Sequence, residues 1–423
     1  MFNSSLSLDQ APPLRIPLLF FITSPIFALL AGLFVLGFVP SLESQTSSGV
    51  MIFTYFIALG FLAMTMLGIM FQMLPVTAGV ALKHQQIIAP LVHGLLSIGL
   101  LVFAYAFYAY QATLMIVAMV MLLSAFIVFV VATALTLKNA KSVTPTIKAF
   151  IGALASLTIA LFLAGYLLLS HDNASFSEYH QTILYTYIIF SILGWVVMLI
   201  IGVSYQVIPM FYVAETYPDL YTKYAIKIIF ALLVGLSFAL FSGDTSLYLL
   251  FKIFVSLLLS DYAITTISLL FNRKRKVTDT STYYWYFSML MLLSAISISL
   301  ASEWLHIAQL NTLAVLIFLY GFAMSTITGI VYKILPFLVW FHLNNKGYMN
   351  MPTMSELIGK KLTTVQFILH VFTLLSLIAL VFDSNYQIIA GVIMALSNAV
   401  LLFNLIKGSR IYFTKQGLEK MNP

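Results

Sequence analysis

The chain reads as an all-α integral membrane protein of about 12 transmembrane helices, organised as three pseudo-symmetric four-helix repeats. Composition, the spacing of apolar runs and a motif that returns three times predict this. Hydrophobic residues make up 62% of the 423 residues and charged residues 8%, against about 25% in soluble domains. So few charges do not cover a water-facing surface of this size, whereas lipid asks for none.

A spanning helix needs about 20 mostly apolar residues. By that measure the runs fall near residues 16–41, 50–80, 87–109, 112–137, 147–170, 181–213, 222–242, 246–272, 282–302, 309–340, 362–382 and 386–408. Basic residues gather in alternate loops, from Arg15 and Lys83 through Arg273–Lys276 to Lys360, Lys361 and Lys407–Lys420. The opposite loops hold Glu43, His171, Asp172, Glu178, Asp244, Glu303 and Asp383 without a Lys or Arg. The positive-inside rule then places both termini in the cytoplasm as short tails, and an even number of spans agrees with that. Residues 1–15 are polar with two prolines, so no cleavable signal peptide is expected. The net charge of +7 is accounted for by these loops rather than by a nucleic-acid partner. With no cysteine, thiolate metal sites and disulfides are excluded.

The second, sixth and tenth runs carry the recurring motif. They read LGFLAMTMLGIMFQMLP (Leu59–Pro75), LGWVVMLIIGVSYQVIP (Leu193–Pro209) and YGFAMSTITGIVYKILP (Tyr320–Pro336). Each has a glycine (Gly60, Gly194, Gly321), a second glycine eight residues on (Gly68, Gly202, Gly329), and a proline seven residues later. An aromatic–polar pair precedes the proline: Phe71–Gln72, Tyr205–Gln206, Tyr332–Lys333. Offsets of 134 and 127 residues leave four helices per unit, near 16–137, 147–272 and 282–408, within one transmembrane domain over 1–423. An even helix number keeps the copies parallel, related by an axis along the membrane normal. Glycines eight apart share a helix face and permit close approach of a neighbour. Each proline frees a carbonyl, which the Gln or Lys can satisfy or leave for a ligand. Packing alone explains the glycines and prolines equally well; a polar residue repeated at one depth is harder to explain so.

This arrangement, with its marked second, sixth and tenth helices, resembles subunit I of haem–copper oxidases. Its motifs are more similar to divergent NnrS-type and oxidase subunit I-like membrane proteins. RIPLLFF (Arg15–Phe21), SPIFALLAG (Ser24–Gly32) and TGIVYKILPFLVWFHL (Thr328–Leu343) share that look. The resemblance covers nearly the whole chain. It implies a bacterial inner-membrane protein with a haem, copper or nitrosative-stress role. The departures restrict it. None of the seven histidines is adjacent to another, and none lies at membrane depth in the second, sixth or tenth run. Tyr55 stands five residues before Gly60, where relatives tend to have histidine, and Leu316 stands at the matching place in the tenth run. A working terminal oxidase is therefore not expected, because a fold does not carry its chemistry along.

Ionisable groups inside a membrane are costly and default to functional candidates. His93 and His370 occupy matching positions in the third and eleventh spans, Pro90-Leu-Val-His-Gly against Phe367-Ile-Leu-His-Val. They are the candidate haem or copper ligands, although a hydrogen bond to a neighbouring carbonyl is the favoured reading of each. Asp261 lies mid-span; Lys252 or Lys333 is its expected partner, unless it faces a wet cavity and couples ion movement. Gln72, Gln206, Lys333 and Tyr55 complete the intramembrane polar set, with Lys333 near enough to an end to snorkel. His171, His180 and His306 form a weaker metal candidate on the outer side. Three functions stay open: a cofactor-binding oxidase-like protein, an ion- or proton-coupled permease, and an assembly subunit partnering other membrane subunits. No Walker, Rossmann or HExxH signature is present.

Overall fold

The computed structural model describes residues 10–42, 47–170, 178–305 and 307–420. Twelve helices among these are long and apolar enough to cross a membrane. They are α1 (Arg15–Phe38), α2 (Ser48–Ala78), α3 (Gln85–Tyr108), α4 (Ala112–Leu137), α5 (Pro145–Leu169), α6 (His180–Tyr212), α7 (Asp219–Ser242), α8 (Thr245–Phe271), α9 (Thr280–Leu305), α10 (Ala308–Asn344), α11 (Lys360–Phe382) and α12 (Ser384–Thr414). Each expected run is present. The largest difference is at α12, which continues to Thr414, six residues beyond the apolar run, and stops where Lys415 turns left-handed. Hydropathy fades at Lys407, yet the helix continues, with Gly408 packed close against Ile358.

Local chemistry sets the helix starts. Pro145 opens α5 at a position where its missing N–H costs nothing, and the Thr144 hydroxyl accepts from Ile147 N at 3.3 Å. Asp244 accepts from the Ser246 and Leu247 amides at 2.9 and 3.0 Å to start α8. A two-residue antiparallel ladder, β1 (Tyr348–Met349) with β2 (Glu419–Lys420), ties the loop after α10 to the C-terminal tail.

The three motif-bearing helices depart from α geometry at corresponding places. Phe56–Ala63 in α2, Ile189–Val196 in α6 and Ile317–Met324 in α10 are π-helical, and each π segment contains the first motif glycine. A π turn widens the helix and changes which residues share a face. Hydropathy is blind to hydrogen-bond period, so the sequence carried no sign of it.

The chain forms two compact units. The first comprises residues 70–276 with the described residues 10–12, and the second comprises 13–69 with 277–420. In the first unit, α6 packs on α5 through both motif glycines. A Cβ on Gly194 would come within 2.5 Å of Ser156 Cβ, and one on Gly202 within 2.5 Å of Ala149 Cβ. In the second unit the same pair does this twice. Gly60 and Gly68 meet Phe27 and Phe20 of α1, while Gly321 and Gly329 meet Met291 and Tyr284 of α9. Each motif helix is thus held to the span before it by a stripe where only hydrogen fits. Also in the second unit, α1 and α12 touch backbone to backbone, with Gly32 against Ala395 and Gly391 against the Gly32 carbonyl. Gln387 Nε2 adds a 2.9 Å bond to the Val35 carbonyl.

Candidate functional site

The interior of α9–α12, within the second unit, is polar along much of its length. Gln366 on α11 is its hub. Its Oε1 accepts from the Tyr284 hydroxyl of α9 and, at 3.3 Å, from the Tyr332 hydroxyl of α10. Its Nε2 donates to Ser397 Oγ of α12 at 3.4 Å. Asn404, two turns further along α12, donates to Tyr332 Oη at 2.9 Å and to the Leu362 carbonyl at 3.3 Å. Tyr284, Gln366, Ser397 and Asn404 are fully buried. A buried amide without partners costs several kcal/mol in an apolar setting, so these groups stay because they satisfy one another.

One turn along α11 sits His370, 1% exposed. Its Nε2 is 2.8 Å from Ser325 Oγ, the Tyr320 ring stacks on it at 4.6 Å, and the Tyr284 ring meets it edge-on at 5.3 Å. Tyr320 belongs to the π segment of α10, so the widened turn presents its ring to the histidine. Two polar atoms here have no hydrogen-bond partner among the described residues: Asn398 Oδ1 and Asn404 Oδ1. Native interiors rarely leave such groups dry, and ordered water is their usual partner.

On α10, eleven residues before its end at Asn344, Lys333 pairs with Asp279. Asp279 Oδ1 also accepts from Thr282 N at 3.1 Å and from the Ser281 and Thr282 hydroxyls, capping α9. Burial pushes its carboxyl up, but the Lys333 ammonium and the Thr282 donors outweigh that and hold it below the usual carboxylate value.

The first unit has a cluster of a different kind. Tyr205 of α6, Tyr217 of the following loop, Tyr221 of α7 and Tyr262 of α8 lie with ring centroids 5.1–6.3 Å apart. The Thr266 hydroxyl donates to the Tyr262 carbonyl at 2.8 Å, so in its 2.8 Å contact with Tyr217 it is the acceptor. Burial pushes the Tyr217 phenol up to about 12, against the lowering effect of its hydroxyl neighbours.

The residues singled out from the sequence meet different fates. His93 of α3 belongs to the first unit and is half-buried, with Ser97 Oγ at 3.5 Å; His370 belongs to the second. His180 contacts Ser170 Oγ at 2.9 Å, while His171 and His306 lie outside the described residues. No group of three metal-binding side chains occurs among the described residues. Lys333 pairs with Asp279, not with Asp261, because Asp279 lies at the mouth of α9 next to it. Asp261 is on an exposed face of α8. Tyr55 ends the α-helical start of α2, immediately before its π segment.

The carbonyl freed by Pro75 is that of Phe71, and it accepts from Gln85 Nε2 of α3 at 2.8 Å rather than from Gln72. Gln72 is buried with its Oε1 unbonded among the described residues, and Gln206 reaches only Met210 Sδ, at 4.0 Å. The sequence reading passed over Gln366, Ser325, Ser397 and Asn404. A signal existed: Gln366, His370 and Thr373 recur at i, i+4 and i+7, a polar stripe on an apolar span. No protein-family model matches the chain, and no curated protein matches it.

Proposed function

We propose that this is a multi-pass membrane protein of oxidase subunit I-like architecture that passes protons through the interior of α9–α12. The observation that carries the reading is the length of the polar array. Along α10 it runs from Lys333 to Tyr320, thirteen residues or about 20 Å. That is about two-thirds of a hydrocarbon core roughly 30 Å thick. Its members, Tyr332, Tyr284, Gln366, Asn404, Ser397, His370 and Ser325, both donate and accept as a set. Two unbonded amide oxygens beside them, of Asn398 and Asn404, suit ordered water. Polar groups this deep in a membrane protein are costly and mark paths for ions and protons.

In this reading the chain consists of three parallel four-helix repeats. The π segment, the glycine pair packed on the preceding span and the proline recur in α2, α6 and α10, and support it. The loop charges support cytoplasmic termini.

The haem or copper role implied by the resemblance finds His370 with its Nε2 already engaged. A metal at Nε2 would displace Ser325, and the Tyr320 ring covers one face of the imidazole.

The test is proton flux. The purified chain is reconstituted into liposomes enclosing a pH-sensitive dye, and a potassium diffusion potential is applied. The wild type should acidify the lumen. Gln366→Leu should slow this roughly tenfold, the effect of about 1.4 kcal/mol on a barrier, while remaining monodisperse. Proton-tight liposomes with the wild type would remove the proposal. A Soret band in the purified protein, lost in His370→Ala, would move it to haem.

A further inference from the structure

A proton path needs a group that takes protons up from water. Apart from His370, the members of the α9–α12 array are hydroxyls and amides, which relay a proton but bind none near neutral pH. Asp279 stands at one end of this array. It caps the first turn of α9, is partly exposed, and holds Lys333 of α10 through Oδ2. A carboxylate that water can reach and that touches the array on its other side can serve both.

From the same turn, polar rungs lead inward between α9 and α11. Thr280, next in the chain to Asp279, has its hydroxyl 2.8 Å from that of Thr363 and 3.3 Å from that of Thr364. The Thr363 hydroxyl donates to the Lys360 carbonyl at 2.9 Å, so it accepts from Thr280. Thr280 and Thr363 are both buried. The next rung is Tyr284 with Gln366, four residues on along α9 and three along α11, so both rungs lie on facing sides. Rungs so spaced are about 5–6 Å apart along the helix axes, a gap that one water bridges. From Gln366 the contacts pass to Ser397, and the Tyr320 hydroxyl lies beside Ser397 and Thr373.

We infer that Asp279 is the group that collects protons from the aqueous side for the α9–α12 array, with Lys333 as its positioning residue. This rests on the proton-passing reading above. In each passage a proton from water adds to the carboxylate and the ion pair opens. The carboxyl then gives a proton to the hydroxyl and water chain and the pair re-forms, so no charge or atom is left over. The elements packed around this turn bring cations: Lys333 from α10, and Lys360 and Lys361 from the first turn of α11. Lys276 precedes Asp279 by three residues in the chain. Burial strengthens the hold of the carboxyl on a proton, and the Lys333 ammonium with the Thr282 donors weakens it by more.

The test is the liposome assay above, run with the full chain at about pH 6 and pH 7. Asp279→Asn keeps a helix cap of equal quality but cannot bind a proton. It should slow acidification roughly tenfold or more, and Asp279→Glu should keep most of the wild-type rate. Lys333→Gln removes the charge that opposes protonation and should speed acidification several-fold at both pH values. The opposite signs are the signature, because loss of a merely structural ion pair moves both variants the same way. Wild-type flux in Asp279→Asn overturns the inference and leaves the path standing, as does equal slowing in Asp279→Asn and Lys333→Gln. Proton-tight liposomes with the wild type overturn the path itself, and the entry with it.

Discussion

Lys333 of α10 reaches the Asp279 carboxylate that caps α9, so one acidic group both starts a helix and holds its neighbour. Both side chains are partly exposed, at 22% and 43%. The ion pair is therefore worth at most about 1 kcal/mol, and the cap roughly as much again. Lys333→Gln, which installs the residue of the other two motif copies, should lower the thermal midpoint only slightly. Asp279→Ala loses cap and pair together and should cost about 1–2 kcal/mol.

The same pair has a pH signature. Because the folded Asp279 carboxyl sits below the ordinary value near 3.9, its contribution is complete above that value. It is lost as pH falls through the lowered folded one. Thermal midpoints measured from pH 6 down to about 3 should fall more steeply for the wild type than for Asp279→Ala. Parallel curves would show that the carboxylate contributes nothing.

Glycine substitutions separate close packing from helix propensity. Gly194→Ala places a methyl 2.5 Å from Ser156 Cβ, and Gly202→Ala one 2.5 Å from Ala149 Cβ. Each should destabilise by about 1–3 kcal/mol through forced separation of α5 and α6. Gly165→Ala on α5 meets nothing within 4 Å and should stabilise by about 0.5–1 kcal/mol. Thermal inactivation of the three purified variants checks the contrast, which disappears if these contacts are loose.

Gln85→Leu should leave the carbonyl freed by Pro75 without its donor, at a cost of about 1–3 kcal/mol. Gln72→Leu removes a side chain whose Oε1 is unbonded among the described residues and should cost less. A larger loss for Gln72→Leu, in the same thermal assay, would reverse this assignment.

Ser325→Ala removes the partner of His370 Nε2. Leaving Nε2 unbonded in a buried site costs about 1–3 kcal/mol. Ser325→Thr keeps the hydroxyl and should recover most of the thermal midpoint.

Much of the architecture was legible before any coordinates. Apolar runs of span length marked all twelve helices, because lipid imposes length and hydropathy on a segment whatever its neighbours are. The eight-residue glycine spacing announced close contacts, and the prolines announced freed carbonyls, since both effects are local to one helix. What those groups meet was decided by tertiary structure. Gln85 is thirteen residues beyond Gln72, on the next helix, and only packing brings it to Phe71. Lys333 found Asp279 rather than Asp261 for the same reason. The Gln366 array draws on four helices, and no spacing within one chain segment encodes a contact among four. Sequence by itself determined which segments enter the membrane and where backbones can touch. Only the packed structure decided which polar groups pair, because hydrogen bonds depend on distances between segments that are far apart in the chain.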